Sequence, residues 1–253
     1  TADGRSSPPP GAFASMELGR YGGCALGGTG IPACWGLDGD GQASPPAPPV
    51  GRIYRSIAIG SFHGCGVLDD NSAVCWGSNS AGATSVPADQ RWLALSPGEH
   101  HTCGLKTDGT LACWGGSIGM PPTGPFKVLS SGDAHACAIR DVGSLVCWGS
   151  DATGVVSQTP TAGTYIEVSS GAAQSCAIRS DATRVCWGIV PSVADLEIAA
   201  DGSPSTIRVG QPITFTGTLT NHGPDDAANP GVGFAFDQAL PDLQVASVPG
   251  GWS

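Results

Sequence analysis

The sequence predicts an all-β chain built from five copies of one unit and ending in a second β-rich segment. Three observations carry that expectation. All ten cysteines fall in five pairs of one spacing, Cys-x9-Cys-Trp-Gly: Cys24 and Cys34, Cys65 and Cys75, Cys103 and Cys113, Cys137 and Cys147, Cys176 and Cys186. The step from one pair to the next varies (41, 38, 34 and 39 residues), so a fixed element is joined by variable loops. That is the mark of a repeat architecture. The composition is rich in turns, with 39 Gly, 21 Pro and only 13 % charged residues, and shows little sustained helical period.

Charge and cysteine usage narrow the function classes. The net charge is −10 with 11 Lys and Arg, which argues against a nucleic-acid partner, because phosphate binding needs a basic face. No run of about 18 apolar residues exists to span a membrane. Ten evenly paired cysteines point to disulfides and an oxidising compartment, hence an extracellular or cell-surface protein. Structural zinc is the rival reading, but the close Cys-x2-Cys spacing it favours is absent. No signal peptide is visible and the first residue is not Met, which implies a processed N-terminus or a longer parent.

Residues 1–10, with Ser-Ser-Pro-Pro-Pro, read as a linker. The repeats occupy 11–190, and the third copy shows their logic best. Asp108-Gly109 is a hairpin turn signal. With Thr107, Asp108 and Gly109 as the loop, Lys106 faces Thr110, Leu105 faces Leu111 and Cys103 faces Cys113. Opposed residues at about 4.5–5.5 Å between Cα atoms lie within reach of a disulfide. Leu105 and Leu111 share the sulfur face, and Trp114 points to the other. Both faces are therefore apolar, and each hairpin is meant to sit between neighbours. Trp35, Trp76, Trp114, Trp148 and Trp187 read as the anchors of these cores.

A strand-like run precedes the second to fifth pairs, as in residues 52–59, 91–95, 126–129 and 165–168; Trp92 stands in for the apolar residue of its run. Gly-x-x-His-x-Cys follows, giving His63, His101 and His135, with Gly22 and Gln174 in the first and fifth copies. The stiff insert Ser44-Pro-Pro-Ala-Pro-Pro49 reads as a surface loop.

The whole unit closely resembles the regulator of chromosome condensation type of repeat, on Gly98–Gly115, Val74–Asn79 and Trp35–Gln42. The secreted bacterial version of that family carries paired cysteines. The resemblance implies a β-propeller whose blades are short antiparallel sheets. Relatives usually close with seven blades. Five repeats leave open a five-bladed ring, an arc, or a ring completed by other residues.

Residues 191–253 change character. Ile213, Phe215, Gly217 and Leu219 alternate with threonines, as in a half-buried strand. Ala194-Asp-Leu, Val209-Gly-Gln-Pro, Asn221-His-Gly-Pro and Leu240-Pro resemble the conserved-repeat, Ig-like domain of bacterial surface proteins. The likeness implies a β-sandwich of about 100 residues, so this one is incomplete. It is either truncated or completed by a strand from another copy, through β-addition. Trp252 is a possible partner contact there.

Candidate chemistry is sparse. Gly115-Gly-Ser117-Ile-Gly119 spells a nucleophile elbow but lacks the strand–turn–helix context that motif needs. His63, His101 and His135 recur once per repeat, which favours structural imidazoles bonded to backbone over a metal site. Asp38-Gly-Asp40 resembles a calcium loop without its closing Glu. The expectation is therefore no catalytic residue, no metal and no cofactor. The expected role is a structural or adhesive surface building block that assembles with other copies or other surface proteins. The alternative is a protein-binding propeller acting as inhibitor or receptor for an extracellular protein.

Overall fold

The computed structural model describes residues 8–188, and the backbone of Leu196–Asp201 and Thr216–Asn221. Residues 8–188 form five three-stranded antiparallel sheets, each with its strands in chain order. Blade 1 holds β1 (Ser15–Leu18), β2 (Gly22–Leu26) and β3 (Pro32–Gly36). Blade 2 holds β4 (Tyr54–Ile59), β5 (His63–Leu68) and β6 (Ala73–Gly77). Blade 3 holds β7 (Trp92–Pro97), β8 (His101–Lys106) and β9 (Leu111–Gly115). Blade 4 holds β10 (Phe126–Ser131), β11 (His135–Arg140) and β12 (Leu145–Gly149). Blade 5 holds β13 (Tyr165–Ser170), β14 (Gln174–Arg179) and β15 (Arg184–Gly188).

The hairpin register is the one the Asp-Gly turn dictates: Leu105 opposes Leu111 and Cys103 opposes Cys113. Lys106 N–H donates to the Thr110 carbonyl, and Gly109 takes φ 81°, which glycine tolerates without Cβ strain. The same register recurs in every blade, and each Cys pair is joined as a disulfide. Their Cα atoms lie 4.0–4.1 Å apart, tighter than the spacing expected from ordinary opposed residues.

Each blade has two unlike apolar faces. One carries the disulfide and an aliphatic residue two positions after its first Cys. The other carries the Trp and the first-strand residues eleven and eight positions before that Cys, such as Tyr54 and Ile57. The disulfide face of each blade packs on the Trp face of the next. Cys24 and Leu26 meet Tyr54, Ile57 and Trp76. Cys65 and Val67 meet Trp92, Leu95 and Trp114. Cys103, Leu105 and Leu111 meet Phe126 and Trp148. Cys137 and Ile139 meet Tyr165, Val168 and Trp187. A side chain of this size, fully covered, is stabilised by about 1.5–3 kcal/mol, so these four joints are the main apolar core.

The loop after Trp-Gly in blades 1, 2 and 4 explains the acidic run at Asp38. The Asp38 carboxylate accepts from the Ala43 N–H and the Ser44 hydroxyl, and Asn79 and Asp151 make matching turns. Asp38 is thus occupied by its own loop, which replaces the calcium reading. The loop then offers a carbonyl to the tryptophan of the next blade: Gln42 to Trp76, Ala83 to Trp114 and Val155 to Trp187, at 2.7–2.9 Å.

The chain divides into two compact units, Thr1–Val190 and Pro191–Ser253. In the second, β16 (Leu196–Asp201) pairs antiparallel with β17 (Thr216–Asn221), Ile198 opposite Leu219. Asn221 is the last residue of β17. The other strands expected for the Ig-like segment, and Trp252, lie outside the described residues.

Candidate functional site

The Gly-x-x-His motif forms a tight turn in which the Gly N–H donates to the carbonyl of the fourth residue: Gly60 to His63, Gly98 to His101, Gly132 to His135. Successive turns touch. A Cβ on Gly19, Gly60, Gly98 or Gly132 would strike the carbonyl oxygen of the corresponding glycine in the next blade. Only glycine allows that approach. The turns therefore gather at one end of the stack, linked by Ser61 N–H to Gly98 O and Glu99 N–H to Asp133 O.

The histidines point into the joints between blades. His63 Nε2 lies 2.8 Å from Thr102 Oγ1, and His135 Nε2 lies 2.8 Å from Ser175 Oγ. The expected backbone partner is thus replaced by a hydroxyl of the following blade. Ala136 stands in blade 4 where Thr102 and Ser175 stand in theirs, opposite the Trp of its hairpin, and His101 Nε2 has no partner. Burial pushes His63 and His101 down to about 4, helped by neighbouring imidazole charge, and burial lowers His135 as well. These rings are neutral at pH 7. Among the described residues no group of His, Cys, Asp and Glu is arranged to hold a metal.

The two residues between Gly and His face the loop end, where Arg20 and His100 are exposed and Ser61 is buried. Tyr21, Phe62 and His100, from three successive blades, form a ladder with centroids 5.6 and 5.4 Å apart; Phe62 and His100 stack at 15°. Beside it, Arg20 of blade 1 reaches Asp133 of blade 4 at 2.7 Å and Glu99 of blade 3 at 3.8 Å. Ser61 Oγ donates to Asp133 at 3.3 Å. Arg20 also lies 5.5 Å from the Tyr21 ring centre. A cleft of about 380 Å³ adjoins these groups, lined by Ser80, Glu99, His100, Ser117 and Asp133. Ser117 sits on a loop after an antiparallel strand, with no helix following, so the nucleophile-elbow setting is missing.

This surface offers stacking faces, carboxylates and a guanidinium within a few ångströms, a set suited to gripping a peptide or protein. Read from the sequence alone, the repeated His and Trp252 stand out instead of these residues. The signal was present: the position before His holds an aromatic ring in two of the first three repeats and His100 in the third.

The regulator of chromosome condensation (RCC1) repeat matches residues 54–83, which are blade 2 and its following loop. Among solved structures, the chain is similar to the ectodomain of the Physcomitrella patens receptor kinase CR4, at 25 % identity and TM-score 0.61, over 71 % of this chain and 55 % of that one. It is similar in fold to yeast RCC1 (Prp20) solved with Kap60, at 16 % identity and TM-score 0.60, over 71 % and 56 %. It is also similar to human WBSCR16, at 14 % identity and TM-score 0.58, over 71 % and 62 %. The chain thus spans little more than half the length of these proteins. No curated protein matches it. The blades have an RCC1-type repeat fold.

Proposed function

We propose that the chain is a non-enzymatic, extracellular binding module whose loop end grips another protein. The observation that carries this reading is the joining of four blades at one end by the Tyr21–Phe62–His100 ladder and the Arg20–Asp133 ion pair. Five disulfides fit an oxidising compartment, and the similarity to a receptor ectodomain supports an extracellular role. A photo-cross-linking residue placed at Phe62 should trap one discrete partner from native extracellular material. The same residue at Val142, an exposed hairpin tip, should trap none. Trapping should fall away in His100→Ala. Equal labelling from both positions would remove the loop end from consideration.

The second reading is a bacterial cell-surface building block, joined to other copies by strand addition through residues 191–253. The antiparallel β16–β17 pair supports it, because strand addition extends a sheet of this kind. Under this reading the full chain polymerises and a chain ending at residue 190 does not.

A further inference from the structure

The four joints inside the stack define what each face is built to meet, and the two outermost faces depart from that rule in opposite ways. The position eleven residues before the first Cys is aromatic in every repeat: Phe13, Tyr54, Trp92, Phe126 and Tyr165. In blades 2–5 these rings are 0–4 % exposed, whereas Phe13 is 38 % exposed. Eight residues before the Cys, Ile57, Leu95 and Val168 are 6–7 % exposed, whereas Met16 is 58 % exposed. Leu18 is also exposed, and Trp35 is only partly buried on the same face, both bordering Gly23. The Trp face of blade 1 thus has the composition of a joint without its cover among the described residues.

Blade 5 ends differently. Cys24, Cys65, Cys103 and Cys137 are fully buried, but Cys176 and Ile178 are partly open. Around them the residue types have changed. Glu167 stands where the covered disulfide faces have Ser15, Ser56, Ala94 and Val128, and Arg184 stands where they have Pro32, Ala73, Leu111 and Leu145. A polar outer face is how terminal repeats of a stack are made soluble. Burying either charge under another blade would be costly.

We propose that the Trp face of blade 1 is a docking surface for one further blade of this repeat type, presenting an aliphatic disulfide face, and that blade 5 is the closed end of the stack. The occupant is fixed by continuity with the four existing joints: a disulfide, an aliphatic residue two positions beyond it, and uncharged residues on both strands opposite that aliphatic residue.

The test adds such a blade to the chain. A copy of residues 126–164 is fused directly ahead of Phe13, reproducing the connection by which blade 4 enters blade 5. The protein has two methionines, Met16 and Met120, and Met120 is 91 % exposed, so it serves as the internal reference. In the fusion, peroxide should oxidise Met16 about ten-fold more slowly relative to Met120 than in the original chain, because access limits sulfoxide formation. A fused copy with Val128→Glu and Leu145→Arg, imitating blade 5, should protect Met16 far less. Unchanged Met16 oxidation in the first fusion overturns the proposal. So does a copy whose cysteines stay unpaired, since docking is what should order it. In sedimentation, any self-association of the original chain should be insensitive to Met16→Asp. Association that this variant abolishes would make blade 5 of another copy the occupant and overturn the closed end. Strand addition through residues 191–253 would instead respond to truncation at 190, so the two failures are distinguishable.

Discussion

The joint between blades 2 and 3 and the joint between blades 3 and 4 solve one problem with different chemistry. In the first, the Thr102 hydroxyl donates to the Ala83 carbonyl at 2.8 Å and lies 2.8 Å from His63 Nε2. Its single proton is used, so the ring donates and His63 is the Nε2–H tautomer. Trp114 Nε1 donates to the same carbonyl. In the second joint, His101 occupies the equivalent place, but Ala136 replaces Thr102, and both His101 Nε2 and Trp148 Nε1 lack partners. The apolar surroundings are richer there, with Leu105, Leu111, Ile118 and Phe126 around Trp148. Shape is therefore set by the disulfide and the tryptophan, while the buried polar bond is an addition that one joint lacks. An unpartnered buried polar atom costs about 1–3 kcal/mol, which the added aliphatic burial can offset.

Acid is the strongest way to break both joints. His63 and His101 are held down to about 4, whereas an unfolded imidazole titrates near 6.5. Between those values the unfolded chain binds protons that the folded chain refuses, so stability is full above about pH 6.5 and falls as pH drops towards about 4. Each ring contributes on the order of 3 kcal/mol to that loss. The two are not additive, because each shift includes the charge of other imidazoles. Urea midpoints measured from pH 7 to 4 should show the fall. His101→Leu should flatten the profile by about one proton. An unchanged profile would mean that His101 is not buried neutral.

Disulfide removal sharpens the role of packing. The Cys103–Cys113 and Cys176–Cys186 loops have the same separation of ten residues, so chain entropy predicts about 3 kcal/mol for either. Cys103 lies inside a joint and Cys176 is partly open. Replacing both cysteines by Ala should therefore cost about 1 kcal/mol more in blade 3, through the space left against Phe126 and Trp148. Equal losses would show that the sulfurs act through the unfolded chain alone.

Thr102→Ala turns the first joint into a copy of the second. It leaves His63 Nε2 unpartnered and removes the bond to Ala83, at an expected cost of about 1–2 kcal/mol in chemical denaturation. Thr102→Ser should recover most of that. A neutral Thr102→Ala would mean that neither joint uses the bond.

What could be read without a structure was whatever a single repeat contains. The Cys spacing and Asp108-Gly109 set the hairpin register, and alternation put Leu105 with the sulfurs and Trp114 opposite. What escaped was every interaction that crosses a joint. The partner of His63 is 39 residues on, and that of His135 is 40 residues on. Nothing in one repeat says that the imidazole bonds to a hydroxyl of the next. The loop surface escaped for the same reason: Arg20 and Asp133 are 113 residues apart and meet only because the turns converge. Comparing the residue before Cys across copies (Gly23, Gly64, Thr102, Ala136, Ser175) would have exposed the pattern of hydroxyls.

That column supplies the smallest and most discriminating change. Ser175, which is paired with His135, holds the hairpin position in blade 5 that Ala136 holds in blade 4, so a serine side chain is already accommodated at such a site. Ala136→Ser should place a hydroxyl within reach of His101 Nε2 and stabilise the fold by about 0.5–1.5 kcal/mol. The added oxygen is small, but Ala136 is fully buried, so some of the gain is spent on crowding. Hydrogen-bonding to the neutral ring should leave the low His101 titration in place, so the gain should persist at pH 7 and shrink near pH 4. Nε2 chemical shifts should move towards those of His63. A destabilised Ala136→Ser with unchanged His101 shifts would show that the second joint is closed to a hydroxyl, and that the two joints differ in backbone spacing rather than in one side chain.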